Sequence, residues 1–213
     1  MIKRRAVLYV CALALAPLAA CGGGDGATGP GGAENLVKVE GDQQSGIVGE
    51  ALSVDPTVQV RNADGDPVSG VSVEFQVTSG GGSVSVSTRT TDAQGRASTT
   101  WTLGTSTATD QLLEASTGSL TATFSADPQP GPATTLEIAS GDGQQVSQPS
   151  TTLPDPLVVE VSDTYGNPVE GVSVEFTTSN GSVSPSQATT DASGRAQTTA
   201  TVGAESELEA AAV

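Results

Sequence analysis

A stretch of eleven residues that occurs twice constrains the fold of this chain more than any other feature. Residues 65–75 read Gly-Asp-Pro-Val-Ser-Gly-Val-Ser-Val-Glu-Phe, and residues 166–176 read Gly-Asn-Pro-Val-Glu-Gly-Val-Ser-Val-Glu-Phe. Each copy predicts a Gly/Pro turn followed by a strand whose alternate residues are apolar. A strand of this kind has one buried and one solvated face, as in antiparallel sheets. We therefore predict an all-β chain with two tandem domains.

The first domain, repeat 1, is predicted to span residues 35–126 and to fold as an immunoglobulin-like β-sandwich. Its turns are marked by Gly, Pro and Asp, and the segments between them give seven short strands, the number expected for such a sandwich. The strands are predicted at residues 36–39, 54–60, 71–78, 83–90, 97–103, 111–116 and 119–125. In the third strand the core positions are Val71, Val73, Phe75 and Val77, and the outward positions are Ser72, Glu74, Gln76 and Thr78. Trp101 is expected to fill the core on the same face as Thr99 and Leu103.

Repeat 2, predicted over residues 133–213, can be aligned with repeat 1 almost residue by residue. Residues 190–196 match residues 91–97, whereas Ala200 stands in place of Trp101, so a thinner core is expected. Leu208-Glu209-Ala210 matches Leu113-Glu114-Ala115, but only Ala211-Ala212-Val213 follows it. The second sandwich is therefore predicted to lack its last strand. Either the gene product is truncated, or a strand from a partner or a second copy completes the open edge.

Two segments are predicted to link and to tether the repeats. Residues 127–132, Asp-Pro-Gln-Pro-Gly-Pro, favour an extended, semi-rigid linker that holds the repeats apart, end to end. Residues 21–34 are rich in Gly and are expected to form a disordered tether with a span of about 20 Å.

Residues 1–20 have the features of a signal peptide, with Lys3, Arg4 and Arg5 ahead of an apolar stretch. The sequence Leu18-Ala19-Ala20-Cys21 resembles the lipobox of bacterial lipoproteins, in which the cysteine becomes the lipidated first residue. An ordinary secretory signal peptide is the alternative. The resemblance implies lipid attachment at Cys21 and binding to a membrane through that lipid. Because Gly22 and not Asp follows, it also implies location in the outer membrane.

Composition excludes several classes of function. The chain has no His, Cys11 leaves with the signal peptide, and lipid blocks Cys21, so neither a Ser-His-Asp site, a Cys-His site nor an internal disulfide can form. Acidic residues outnumber basic ones 24 to 8, which argues against binding to nucleic acid. The acidic side chains fall at turns and outward strand positions, where solvation explains them. We predict no enzymatic activity, no cofactor and no small-molecule substrate.

The acidic turn at residues 62–66, Asn-Ala-Asp-Gly-Asp, is a candidate calcium site because oxygen-bearing side chains at alternate positions open a calcium-binding loop. The rest of such a loop is missing. Counting from Asn62, Pro67 stands where Gly is needed and Val73 where Glu is needed, and repeat 2 has Tyr165 and Asn167 at the acidic positions. A solvated β-turn is the preferred interpretation, and no metal site is predicted. Glycan binding by the Ser/Thr-rich faces is a weaker alternative.

The repeated turn and strand, together with the Thr-Asp-Ala-x-Gly-x-Ala segment that follows them, resemble the bacterial Ig-like domain group 1, the repeat of invasins and intimins. The resemblance covers both repeats and implies an Ig-like sandwich in each. In that family most copies are stalk repeats that hold a binding tip away from the membrane. The matching turn and core positions are Gly65, Pro67, Gly70 and Phe75 in repeat 1, and Gly166, Pro168, Gly171 and Phe176 in repeat 2.

These features predict a non-enzymatic, lipid-anchored cell-surface protein whose Ig-like repeats act as a spacer or as an adhesion module. Its expected partners are the outer membrane, through the lipid on Cys21, and another envelope or host-surface protein. The alternative is a lipoprotein that faces the periplasm as an accessory subunit of an envelope assembly. Protease treatment of intact cells distinguishes the two, because only the first places the repeats outside the cell.

Overall fold

The computed structural model describes residues 32–204, and every regular element within that range is a β-strand. The signal peptide, Cys21, most of the tether and residues 205–213 lie outside the described residues. Over the described range there is no helix of the length and apolarity needed to cross a membrane. The strands of repeat 1 are β1 Asn35–Glu40, β2 Gln44–Ile47, β3 Thr57–Arg61, β4 Ser72–Ser79, β5 Ser83–Val84, β6 Thr88–Thr90, β7 Arg96–Ser98, β8 Trp101–Thr102, β9 Gln111–Thr117 and β10 Leu120–Gln129. Those of repeat 2 are β11 Thr135–Ser140, β12 Leu157–Ser162, β13 Ser173–Glu175, β14 Gly181–Ser184, β15 Gln187–Thr189 and β16 Arg195–Val202.

Repeat 1 is a β-sandwich, as predicted. One sheet has the strand order β1-β3-β7 and the other has the order β2-β10-β9-β4-β6. The core lies between them and takes side chains from both, with Val58 and Val60 from β3, Phe75 from β4 and Phe124 from β10. The alternation predicted for β4 is present, since Val73 and Phe75 are buried whereas Glu74 is exposed. The all-β, Ig-like prediction is confirmed.

Trp101 is a core residue, in agreement with the sequence pattern. Its side chain is 0% exposed, and Thr99 and Leu103 beside it are 1% and 2% exposed. The indole Nε1 has no hydrogen-bond partner among the described residues. Trp101 belongs to the apolar core of repeat 1, and burial of its ring stabilises the sandwich despite the cost of the unpaired N–H.

Two of the predicted strands are each broken in two, because the chain passes from one sheet to another within them. Residues 83–90 form β5, which pairs with β8, and then β6, which pairs with β4. Residues 97–103 divide in the same way between β7, paired with β3, and β8. At the break the hydroxyl of Thr99 donates to the carbonyl of Val86 at 2.9 Å and accepts from its amide at 3.3 Å. A side chain thus satisfies backbone groups that a continuous strand would pair, and strand periodicity does not reveal this.

Strand β2 is not predicted by the sequence, since Gln44–Ile47 lacks apolar alternation. It forms because the end of β10 pairs with it in parallel, from Ala126 opposite Gln44 to Gln129 opposite Ile47. Strand β10 consequently extends three residues into the segment predicted to be a linker. The extended conformation that Pro128 and Pro130 favour is therefore used partly to continue a sheet.

Repeat 2 has a four-stranded sheet, β11-β12-β16-β14, and a two-stranded sheet, β13-β15. Its pairing reproduces that of repeat 1: Leu136 lies opposite Val161 just as Leu36 lies opposite Val60. The loop before β12 is also held in the same way, because Gln144 Nε2 donates to the carbonyls of Gly141 and Asp155. In repeat 1 Gln44 makes the equivalent bonds to Gly41 and Val54. The matched glutamines thus have the same structural role.

The core of repeat 2 is smaller in the described residues, with Val161, Val174 and Ala196 buried. Phe176 is only half-buried, whereas Phe75 is 1% exposed. Phe75 pairs with Ala115 of β9, and its sheet also includes β10. The sequence that corresponds to β9, with Leu208-Glu209-Ala210, and the prediction of a missing last strand both fall outside the described residues.

Candidate functional site at the junction of the repeats

The predicted turn residues lie where the motif places them, at the start of each β-sandwich hairpin. Gly65 and Gly166 have φ angles of 88° and 83°, a left-handed conformation that glycine adopts without a steric penalty. Pro67 and Pro168 each form an isolated bridge to the end of the preceding strand, with Arg61 and Ser162 respectively. The turns therefore connect β3 and β12 to the strands that follow them.

Gly70 and Gly171, the second glycines of the motif, each bond to a threonine later in the same repeat. Their amides donate to the carbonyls of Thr91 and Thr190 at 3.0 Å in both repeats. The two threonines are buried, and each hydroxyl both accepts a backbone N–H and donates to a backbone carbonyl on the motif strand. Sequence reasoning assigned them no role. The signal was available, because Thr-Asp-Ala-x-Gly-x-Ala begins with this threonine in both copies.

The turn of repeat 2 has a buried carboxylate at its base. Asp163 is 2% exposed, and its Oδ1 accepts the backbone amides of Tyr165 at 2.8 Å and Asn167 at 2.9 Å. Its Oδ2 accepts the side-chain amide of Asn167 and the backbone amide of Gly131, both at 2.9 Å. Gly131 belongs to the segment between the repeats, so Asp163 ties that segment to repeat 2.

These hydrogen bonds determine the protonation state of Asp163. Burial alone would raise the pKa of this carboxyl group. The N–H donors of the Asn167 side chain and of the Gly131, Asn167 and Tyr165 backbone outweigh that effect and hold the pKa below its ordinary value. Asp163 is therefore ionised at neutral pH, and its charge is satisfied by four hydrogen bonds.

Asn167 links repeat 2 directly to repeat 1 and is buried at the junction. Its Oδ1 accepts the backbone amide of Thr107 at 2.9 Å and the Thr107 hydroxyl at 3.3 Å. Its Nδ2 donates to the carbonyl of Thr105 at 2.9 Å. One amide side chain thus pairs with both the donor and the acceptor that the loop of repeat 1 presents.

Gln111 holds that loop in place from within repeat 1. The side chain is fully buried, and its Oε1 accepts the amide of Gly104 at 2.9 Å. Its Nε2 lies within hydrogen-bond distance of the carbonyls of Ser106 and Thr109, at 3.3 and 3.2 Å. The loop at residues 104–110 therefore has an internal scaffold, and Thr105 and Thr107 are presented in a defined orientation.

The direct contact corrects one expectation from the sequence. The proline-rich segment was expected to hold the repeats apart, but the turn of repeat 2 bonds to the end loop of repeat 1. The acidic turn of repeat 1, residues 62–66, has no such contact among the described residues and is closed by its own bonds, with Asn62 Oδ1 accepting the amide of Asp66 at 2.8 Å. Over residues 32–204 no group of three or more potential ligand residues is placed to hold a metal ion.

The arrangement supports attachment between the two repeats. Its groups are backbone amides, two side-chain amides, a hydroxyl and one carboxylate whose lone pairs are already used. Cys21 lies outside the described residues, so the lipid-attachment prediction stays a prediction. The turn and core residues Gly65, Pro67, Gly70, Phe75, Gly166, Pro168, Gly171 and Phe176 organise the hairpins, whereas the junction is made by residues that the sequence did not single out as a site.

Comparison with known proteins relates the chain to one domain family. Residues 154–212 match the family model of the bacterial Ig-like domain (group 1). The search of curated proteins gave no match. Similar solved structures include the D0-D1 domain of intimin, which is 20% identical with a TM-score of 0.33, over 82% of this chain and 86% of that one.

Two further solved structures are similar over most of this chain. Invasin, described as a bacterial integrin-binding protein, is 20% identical over 81% of this chain and 34% of its own, with a TM-score of 0.40. The Yersinia pseudotuberculosis adhesin InvE is 20% identical over 81% of this chain and 53% of its own, with a TM-score of 0.39. The Ig-like fold is shown by the strand pairing of the two repeats and by the family match. The sequence of repeat 2 is therefore similar to the bacterial Ig-like domain of group 1.

Proposed function

We propose that this chain is a non-enzymatic, lipid-anchored protein of the bacterial outer membrane whose two Ig-like repeats form a spacer or adhesion module on the cell surface. The observation that carries the proposal is the junction. Asn167 bonds to Thr105 and Thr107, and the ring of Tyr165 lies against Gly49, so repeat 2 is attached to repeat 1 at more than one point. A module that positions something at a distance from a membrane needs such a defined orientation.

The chemistry of the chain supports a non-enzymatic role. The sequence has no His, and the described carboxylate with a lowered pKa at the junction, Asp163, has its lone pairs occupied by N–H donors. A general acid or base needs a lone pair or proton that is available to a substrate. Solved relatives of similar fold include an integrin-binding protein and an adhesin. For this chain we propose contact with another envelope or host-surface protein.

The anchor is proposed from the sequence at the start of the chain. Leu18-Ala19-Ala20-Cys21 fits a lipobox, and the Gly-rich residues 22–34 fit a tether between a lipid and the first repeat. Residue Gly22 favours the outer membrane. The competing proposal, an accessory lipoprotein that faces the periplasm, shares the anchor and differs only in which side of the outer membrane the repeats occupy.

Proteolysis of intact cells that express the full chain tests the location. We expect added protease to remove both repeats while a periplasmic marker protein stays intact. Degradation only after the outer membrane is permeabilised would favour the periplasm-facing alternative instead.

The anchor is tested by Cys21→Ser in the same cells. Acyl chains contribute about 0.8 kcal/mol per buried methylene to membrane binding. We therefore expect the variant to leave the detergent phase on phase separation, whereas the conservative change Ser45→Ala on an exposed strand leaves partitioning unaltered. A Cys21→Ser protein that is processed normally and still partitions into detergent would rule out lipid attachment at this residue.

A further inference from the structure

The turn that joins repeat 2 to repeat 1 is also present in repeat 1, with the same backbone hydrogen bonds. The amide of Asn62 donates to the carbonyl of Asp66 at 3.0 Å, and the amide of Asp163 donates to the carbonyl of Asn167 at 2.9 Å. In both turns the amide of the glycine donates to the carbonyl of the first residue at 3.1 Å, from Gly65 to Asn62 and from Gly166 to Asp163. The backbone is therefore shared, and only the side chains distinguish a turn that docks from one that does not.

The first distinguishing position is Asn167, which corresponds to Asp66. The loop of repeat 1 offers Asn167 an N–H from Thr107 and a carbonyl oxygen from Thr105, and the side-chain amide matches both. An aspartate would still accept from Thr107 but would place a charged oxygen against the carbonyl of Thr105. Two acceptors facing each other in a buried site are strongly unfavourable.

The second position is Asp163, which corresponds to Asn62. Its Oδ2 faces two donors, the amide of Gly131 and the Nδ2 of Asn167. An asparagine at this position would turn a third donor toward those two, or would leave one of them unsatisfied. A carboxylate is therefore required where repeat 1 has an amide.

The third position is Tyr165, which corresponds to Asp64. The tyrosine ring lies against Gly49 of repeat 1 so closely that a Cβ atom on that glycine would come within 2.6 Å of the hydroxyl oxygen. Gly49 has a φ of 76°, so both its conformation and its lack of a side chain suit this contact. An aspartate at position 165, the residue that repeat 1 has at the corresponding position 64, is shorter and charged, and it would neither reach Gly49 nor cover it.

We propose that the end of repeat 1, formed by Gly49, Thr105 and Thr107 and supported by Gln111, makes with Gly131 of the following linker a docking surface specific for an Ig-like turn with Asp, Tyr and Asn at these three positions. It excludes a turn with Asn, Asp and Asp, such as the turn of repeat 1 itself. The three side chains thus decide which repeat can follow which. The biological meaning of this inference rests on the proposed spacer function, in which the order and orientation of repeats matter.

The test changes the turn at residues 163–167, called the docking turn, by replacing the side-chain nitrogen of Asn167 with oxygen in the full chain. It follows hydrogen exchange at the Thr107 and Gly131 amides. In Asn167→Asp the new carboxylate oxygen faces the carbonyl of Thr105 and the carboxylate of Asp163, and this repulsion is expected to open the junction. We then expect both amides to exchange about tenfold faster, as when the hydrogen bonds across the junction are lost. The distance distribution between spin labels at the exposed strand residues Ser72 and Ser173 is expected to broaden. The matched control is Asp66→Asn, which makes the reverse change in the turn of repeat 1 and is expected to alter neither measurement.

Tyr165→Asp provides a second variant, because Tyr165 is 51% exposed and its replacement leaves the core of repeat 2 intact. Strand amides of β12 and β16 serve as the folding control in each variant. Unchanged exchange at Thr107 and an unchanged label distance in both variants would overturn the inference. The measurements use purified protein and do not depend on export, so they can succeed even if proteolysis of intact cells shows that the proposed surface location is wrong.

Discussion

At the scale of single residues, Phe75 and Phe176 show how the same motif position meets two environments. Both follow Val-Ser-Val-Glu, and the amide of each donates to a serine carbonyl, Ser87 at 2.7 Å and Ser186 at 2.8 Å. The local backbone is therefore the same. Phe75 is fully buried beneath a sheet that includes β9 and β10, whereas Phe176 is partly buried among the described residues. Burial, and with it the energetic weight of the side chain, depends on strands distant in sequence.

The difference in burial predicts that replacing each side chain by Ala lowers stability by unequal amounts. Phe75→Ala is expected to destabilise repeat 1 by about 3–5 kcal/mol through lost burial and the cavity left behind, and Glu74→Ala by less than about 1 kcal/mol. The effect of Phe176→Ala is expected to fall between them, because its side chain is only partly buried. Urea denaturation followed by far-UV circular dichroism measures all three. Equal losses at Phe75 and Glu74 would contradict the facing of β4.

At the scale of elements, the strands and turns that depend on local pattern were predicted, and those that depend on a partner were not. Strand β4 follows from its alternation, but β2 exists because β10 lies beside it. The corresponding residues of repeat 2, Gln144 to Ser147, form no strand. The turn with Asp163 was predicted as a turn, yet its role at the junction comes from residues 105 and 107 on another element.

The turn of repeat 2 is expected to weaken in acid. The folded pKa of Asp163 lies below its value in the unfolded chain, so its contribution to stability is complete above about pH 4 and is lost as the pH falls through the folded pKa. Asp163→Asn should lower the melting temperature of repeat 2 at pH 6 and reduce its dependence on pH between 6 and 3.

Asp42→Asn is the matched control for that experiment. Asp42 is also buried in part, and bonds from Lys38 and from the amide of Ser125 lower its pKa, but it lies in repeat 1. Its replacement should alter the acid response of repeat 1 only. If Asp163→Asn and the wild type lose stability in parallel below pH 4, the ionised carboxylate does not hold the turn.

At the scale of the whole molecule, two sandwiches are joined by a polar contact, and their described cores differ in size. Repeat 1 buries Trp101, Phe75, Phe124, Leu103 and Leu113 almost completely, whereas the described core of repeat 2 consists of Val161, Val174 and Ala196. Hydrophobic stabilisation grows with the apolar area removed from water. The junction consists of hydrogen bonds and the contact of Tyr165 with Gly49, and its residues belong to neither core. It therefore orients the repeats without merging their cores.

Unfolding is therefore expected in two steps, with repeat 2 first. The chain has a single Trp, Trp101, so fluorescence follows repeat 1 alone while circular dichroism follows both repeats. The dichroism signal should begin to change below the fluorescence transition. Trp101→Leu should lower only the upper transition, by roughly 10 °C. Coincident transitions by both probes in the wild type would show that the two repeats unfold as one unit.

The sequence by itself determined that the protein is built from two β-sandwich repeats, where the turns of the repeated motif lie and which face of the motif strand is buried, because these properties depend on neighbours within a few residues. The tertiary structure decided the rest. In the tertiary structure residues 126–129 pair with residues 44–47, and two predicted strands are interrupted at Thr99 and Val86. Asp163, Tyr165 and Asn167 form the turn that contacts repeat 1. Each of these outcomes depends on a hydrogen-bond partner or a packing surface many residues away, and strand periodicity contains no information about such partners.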